Sequence, residues 1–205
     1  MVEFDHIAIS GETLNEAVKY VEDALGVKLQ GGGQHDVFNT HNALLGLEDG
    51  LYLEAIAINP EAPQPARPRW FDLDNFAGPP RLTNWICRVD DLHSLVKAAT
   101  IDFGTPVDLQ RGDLRWQMAV PATGILPFDS AAPALIHWQT DLHPSTMLSP
   151  SGCRLNRLTI SHPNVDALAD VIGSYLMDDR IAFETGPKAM SATFQTPHGS
   201  RELLG

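Results

Sequence analysis

Cysteine is scarce in this chain: 205 residues hold only two, Cys87 and Cys153. Two thiols make neither a disulfide framework nor a cysteine-built zinc site, and Cys87 lies in an apolar strand pattern that suits a small core residue. Basic side chains are also few. Against 26 Asp and Glu stand 14 Lys and Arg, giving a net charge of −12 and a pI near 4.9. Nucleic acid and anionic membranes both require clustered Lys and Arg, so neither is expected as a partner. No apolar run approaches the ~18 residues of a membrane-spanning helix, and the amino terminus enters a strand pattern without the basic stretch of a secretion signal. A cytoplasmic location is the resulting expectation. P-loop, GxGxxG, GxSxG and HExxH patterns are missing, which leaves nucleotide-cradling, serine-hydrolase and zincin chemistries without a signature.

What remains is an ordinary globular composition, 43% hydrophobic and 20% charged, long enough to bury a core as one or two domains. The strongest signal is internal repetition. Phe4-Asp5-His6-Ile7-Ala8-Ile9, Thr83-Asn84-Trp85-Ile86-Cys87-Arg88-Val89 and Leu155-Asn156-Arg157-Leu158-Thr159-Ile160 each read as a strand with an Asp or Asn before a large side chain. Those Asp/Asn positions are 79 and 72 residues apart, too long for a solenoid and suited to a copied compact unit.

Each copy continues with a helix signal and three more strands. In the first, Ser10-Gly11-Glu12-Thr13 starts a helix whose Leu14, Val18, Val21 and Leu25 share a face, with Gly26 as its stop. Strands are expected at 27–30, 41–47 and 51–58, the last two joined through the hairpin pair Asp49-Gly50. A Pro/Ala-rich connection spans 59–80, with Trp70 and Phe71 to pin it down. In the second copy, Asp90 or Asp91 caps a helix, and strands follow near 105–110, 114–120 and 133–139. In the third, Asn164 caps a helix, and strands follow near 181–185, 190–196 and 201–204. The reading is an α+β fold of repeated βαβββ units forming an open, curved mixed sheet around a concave cavity. Residues 1–140 form a pair of units, and 141–205 a third, compressed unit packed on or extending them. An odd unit leaves an unpaired face or edge, which invites a homodimer.

Asp5-His6 opening a βαβββ unit resembles the vicinal oxygen chelate superfamily of glyoxalases, extradiol dioxygenases and antibiotic-resistance proteins. Gly32-Gly33-Gln34-His35, Thr40-His41-Asn42-Ala43-Leu44-Leu45 and Tyr52-Leu53-Glu54 are similar to its glyoxalase-like family, as are Leu114-Arg115-Trp116 and Leu126-Pro127-Phe128. Asn39 departs from the family's Gly, and 129–132 looks inserted.

Strand alternation turns His6 and Phe4 to the concave side if Ile7 and Ile9 pack on the helix, and puts Tyr52 and Glu54 on one face. In that superfamily, metal ligands come from the first and last strands of paired units. The resemblance therefore implies His6, Glu54 and His137 as ligands of a divalent metal (Fe, Mn, Zn or Ni), with Trp85 at the fourth position. Two imidazoles and a carboxylate suit such an ion, and it would polarise a substrate carbonyl or activate oxygen. Each reads equally as a hydrogen-bonded polar group of a cavity wall. Phe4, Tyr52, Trp85, Trp116 and Asn42 are candidate substrate-binding residues, and Glu54 and His35 candidate catalytic groups. His35 either reaches over the cavity mouth as a base or ties down the glycine loop with Asn42. In the third unit Glu202 resembles the superfamily's metal carboxylate, but an ion pair with Arg157 is the favoured expectation; without that pair, Arg157 is a candidate anion-binding residue.

Three functions compete. The first is a metal-dependent enzyme on a small oxygen-bearing substrate, of lyase/isomerase or dioxygenase type. The second is a metal-free small-molecule binder, and the third an interaction module with a decayed site.

Overall fold

The computed structural model describes all 205 residues. After β1 (Val2–Ser10), Thr13 opens α1 (Leu14–Leu25) with a capping box, its hydroxyl accepting from the Glu16 N–H while the Glu16 carboxylate accepts from Thr13 N–H. Gly26 ends the helix at φ 74°, where a side chain is strained. Then come β2 (Gln30–His35), β3 (Thr40–Gly46) and β4 (Tyr52–Ile58). The strand expected at 27–30 instead begins at Gln30 and runs through all three glycines. Asp49 and Gly50 both have positive φ, 61° and 73°, as a tight hairpin between right-twisted strands requires. A 3-10 segment at Trp70–Asn75 interrupts the long connection.

The second unit comprises β5 (Arg81–Val89), α2 (Leu92–Ala98) capped by Asp91, β6 (Thr105–Arg111), β7 (Leu114–Val120) and β8 (Ala134–Trp138). Beyond the short α3 (Pro144–Met147) lie β9 (Arg154–His162), α4 (Val165–Gly173), β10 (Ile181–Thr185), β11 (Ala189–Thr196) and β12 (Gly199–Leu204).

Eight strands form one open, strongly curled sheet in the order β2-β3-β4-β1-β5-β8-β7-β6. At its centre β1 and β5 run antiparallel, and each has the last strand of its own unit parallel on its other side. The third stretch has the same order of elements but a different pairing, β10-β9-β11-β12. After α4 the chain enters the slot beside β9, where β10 pairs parallel, and the β11–β12 hairpin takes the opposite side.

This second sheet covers the convex side of the first. Ile7, Ile9 and Trp85 share a core with Val21 and Leu25 of α1 and with Leu158, Ile160 and Phe194 of the third unit. A separate cluster fills the concave side, where Ile56, Ile86, Trp116, Met118 and Ile136 meet Trp70 and Phe71 from the 3-10 segment. No helix is long and apolar enough to cross a membrane.

Candidate functional site

A bulge decides what faces the cavity. In the β1–β5 ladder Phe4 pairs with Cys87 and His6 with Ile86, so Asp5 is the extra residue. A bulge breaks strict alternation. Phe4 therefore drops into the convex core against Trp85, while Asp5 and His6 both turn to the concave side. The expectation that Phe4 lines the cavity with His6 is corrected by this one residue. The same ladder skips Thr83, and the β9–β11 ladder skips Asn156. Each first strand thus places its bulge immediately before one residue: His6, Asn84 and Arg157. Each of these lies seven positions before its helix cap, Thr13, Asp91 or Asn164.

The counterpart of His6 in the second unit is consequently Asn84, not Trp85. Trp85 is fully buried on the convex side, its indole N–H donating to the Ala131 carbonyl at 2.8 Å. The last strands align in the same way. Glu54 pairs with Ala8 and Ala134 with Ile86, which makes Ala134 the counterpart of Glu54. In β8 it is Ile136 and Trp138 that reach the cavity. His137 points outward, its Nδ1 at 2.9 Å from the Val89 carbonyl, in a polar row with Gln117 and Asp108.

His6 and Glu54 do come together, Nε2 to Oε2 at 3.8 Å. Behind His6, Nδ1 meets Asp5 Oδ1 at 2.5 Å, and Asp5 Oδ2 accepts from Trp138 Nε1 at 3.1 Å and lies 3.0 Å from His143 Nε2. Tyr52 stacks on the His6 ring, centroids 4.1 Å apart, with its hydroxyl 3.4 Å from Nε2. Asn42 Nδ2 donates to Glu54 Oε1 at 2.5 Å, and Asn42 Oδ1 accepts from Gly33 N–H and from Arg111 Nη1. Gly32 lets β2 come this close, since a Cβ there would sit 2.1 Å from Asn42 Oδ1.

His35 is buried at the end of β2, its Nε2 faced by two donors, Asn42 Nδ2 at 3.3 Å and Arg111 Nη1 at 3.5 Å. That nitrogen must accept, so the proton sits on Nδ1 and is donated to Thr40 Oγ1, 3.0 Å away. Trp116 and Trp70 close the wall around His35.

These surroundings set the charges. Burial alone would raise the Glu54 carboxyl, but His6 and the Asn42 amide hold it down at about 2. Burial opposes a charged His6, yet Asp5 and Glu54 outweigh it and raise the imidazole above its ordinary 6.5. Asp5 is held well below the usual carboxylate range, its burial outweighed by His143 and His6. His35 moves the other way: burial, aided by Arg111, lowers it to about 4. Burial pushes the Tyr52 phenol well up, so it keeps its proton. The floor of the cavity is thus a charged imidazole between two carboxylates, beside a neutral imidazole.

The donor set does not fit the expected metal centre. Two of the four symmetry-related positions are Asn84 and Ala134, His137 is on the other face, and no three His, Cys, Asp or Glu side chains are gathered to hold an ion. A facial site needs three protein donors within first-shell reach.

Free space beside His6 and Glu54 is about 20 Å³, but a groove of about 590 Å³ opens next to it and shares His35, Arg111 and Trp116. Sequence reasoning missed Asp5, Arg111 and His143. Only the helix-cap spacing, which singles out Asn84, was available as a signal. In the third unit, Arg157 and Glu202 flank Thr193 on neighbouring strands, and the expected ion pair between them is not made.

A family model described as the glyoxalase-like domain matches residues 4–176. No curated protein matches the chain. Among solved structures, a hypothetical protein from Staphylococcus aureus is 13% identical at a TM-score of 0.60, covering 91% of this chain and 86% of that one. This likeness is one of fold. A methylmalonyl-CoA epimerase from Mycobacterium tuberculosis is 21% identical, with a TM-score of 0.42 over 66% of this chain and 85% of that one. A hypothetical protein from Bacillus halodurans C-125 is 14% identical, with a TM-score of 0.44 over 69% and 96%.

Proposed function

The chain belongs to the glyoxalase-like domain family, and from that premise we propose an enzyme that moves a proton on a small oxygen-bearing substrate, in the manner of an isomerase or lyase, with His6 and Glu54 as its acid and base. The observation that carries this reading is the buried Asp5–His6–Glu54 row on the cavity floor. Burying three ionisable groups together costs stability, and such clusters concentrate where chemistry is done. A structural role needs no such row, since apolar residues pack a sheet floor at lower cost.

Glu54 is ionised and presents Oε2 as a base for a proton on carbon next to a carbonyl. The oxygen that gains charge as that proton leaves is met by the protonated His6 Nε2, which lies close enough to Glu54 to serve the same small group. Asp5 fixes the orientation of the imidazole by holding Nδ1, as a carboxylate does for a catalytic histidine. Arg111, fixed by Asn42 at the groove, supplies a cation for an anionic end of the substrate. The aromatic walls from Trp70, Trp116 and Trp138 exclude water and strengthen these charges. The adjoining groove of about 590 Å³ supports one further reading, a sequestering protein in which the same groups only bind.

The test is solvent-deuterium exchange into a panel of small 2-oxo and 2-hydroxy carboxylates, followed by proton NMR. Exchange should occur with at least one compound, survive dialysis against EDTA, and drop by at least about a hundredfold in Glu54→Gln, the range a general base contributes. Binding without exchange anywhere in the panel would leave the sequestering reading. Exchange that vanishes on chelation and returns with a divalent ion would overturn the metal-free assignment.

A further inference from the structure

A second cavity lies at the seam where the start of β11 meets the start of β5, about 290 Å³ in volume and lined by residues of the 59–80 connection, the second unit and the third. Two polar side chains buried in its wall lack any partner. Asn84 is fully buried, and neither its Oδ1 nor its Nδ2 makes a hydrogen bond. Ser130 is 6% exposed, and its Oγ is likewise alone. A buried amide with both ends unpaired costs free energy that folding does not recover, so its presence asks for a partner from outside the chain. The backbone around them is held in an unusual state. Phe71, Asp72 and Ser130, all lining this cavity, have φ of 59°, 55° and 69°. Such left-handed non-glycine residues gather at ligand clamps. At the rim, Lys188 makes no ion pair, and the Arg81 guanidinium lies over the Phe76 ring, 4.2 Å from its centroid. Phe71 also lines the His6–Glu54 cavity and stands as the wall between the two.

We infer that this seam cavity is a second binding site, for a small planar molecule that carries a lactam-like edge and a carboxylate. Asn84 offers an acceptor and a donor side by side, which match the N–H and C=O of a lactam, and Ser130 supplies a third hydrogen bond. Phe71 and Phe76 provide flat apolar surface for a ring, and Lys188 meets the carboxylate at the solvent edge. The site draws on none of the groups placed in the proton-transfer centre.

Orotate, a ring with both features, is the probe, measured by titration calorimetry beside uracil, which lacks the carboxylate, and benzoate, which lacks the lactam. Orotate should bind with a dissociation constant below about 1 mM, with uracil and benzoate each at least about fivefold weaker. Asn84→Leu should weaken orotate by about tenfold or more while the melting temperature holds or rises, because the orphaned amide is gone. Lys188→Gln, at an exposed position, should weaken it severalfold and abolish its salt dependence. Glu54→Gln, in the other cavity, should leave the affinity within about twofold. No binding of orotate up to about 10 mM, equal affinity in Asn84→Leu, or benzoate binding as well as orotate would each overturn the assignment. If Asn84→Leu does not fold, Lys188→Gln decides.

Discussion

His35 is neutral because burial disfavours its charge and two donors already occupy its Nε2. Its depressed value has a defined consequence for stability. Between pH 6.5 and about 4 the unfolded chain takes up a proton that the folded one refuses, so acid favours unfolding over that window. The loss amounts to roughly 3 kcal/mol at most. His35→Gln, which can still bond Thr40, should flatten that part of the profile in urea titrations at several pH values. An unchanged acid slope in the variant would assign the loss to other groups. His6 acts in the opposite sense. Its folded value is raised, so its contribution is complete below pH 6.5 and disappears as pH rises through the folded value. Glu54 contributes above pH 4.5 and loses that contribution as pH falls toward about 2. Stability should therefore peak near pH 6.5 and decline on both sides. Removing His6 leaves Asp5 and Glu54 facing each other's field without their shared cation, and His6→Ala should cost on the order of 3–5 kcal/mol.

Among the elements, β2 shows how a weak strand can be held for the sake of a neighbour. Gly31, Gly32 and Gly33 supply no side chains to pack, and the strand sits at the sheet edge, interrupted by a shift in register. Gly32 is the one held against a neighbouring strand's backbone, whereas a Cβ on Gly33 would push on the Arg111 side chain, 2.5 Å from its Cδ. A Cβ on Gly32 would collide with the Asn42 amide and carbonyl, while a Cβ on Gly31 meets nothing within 4 Å. Gly32→Ala should therefore displace Asn42 from Glu54, cost about 1–3 kcal/mol, and reduce turnover. Gly31→Ala should stay within about 0.5 kcal/mol of the parent. Equal effects at the two positions, measured by denaturation midpoint, would show that the glycines matter only through chain entropy.

These elements also mark where sequence reasoning holds and where it fails. The helix start ending at Thr13, Gly26, Asp49-Gly50 and Asp91 are local chemistry, and each lies where the pattern places it. A bulge is not local. Whether Asp5 is skipped depends on which β5 residue faces it, and strand alternation cannot register that before the pairing exists. From this single shift come both the correction of Phe4 and the hidden role of Asp5. In β8, whose ladders are regular, His137 turns outward and Trp138 inward because inward and outward are defined by neighbours rather than by the strand itself.

At the scale of the molecule, the third unit turns the convex side of the curled sheet into an interior. Trp85 shows the effect, packed between Phe4 and Phe183 of β10 and closed off from solvent. Its emission should be insensitive to a ligand in the concave cavity, whereas Trp116 and Trp138 line that cavity and should respond. Trp85→Phe should keep the quenching seen on ligand binding and lose about 1–3 kcal/mol of stability. Trp116→Phe should remove a large part of the quenching with less effect on the melting temperature. The opposite pattern would place Trp85 against the ligand. That the third stretch pairs in its own order was not visible in its sequence of elements, since strand-helix-strand-strand-strand fits either arrangement.

The bulge before His6, Asn84 and Arg157 acts as a socket in the sheet. The residue behind it is set apart from the alternating row, which keeps its register with the core: His6 and Asn84 each line a cavity, and Arg157 stands exposed. A change at one of these three positions alters which chemical group is offered and leaves the packing code of the strand untouched. Imidazole, amide and guanidinium already occupy the three sockets of this one chain, three chemistries set into one repeated frame.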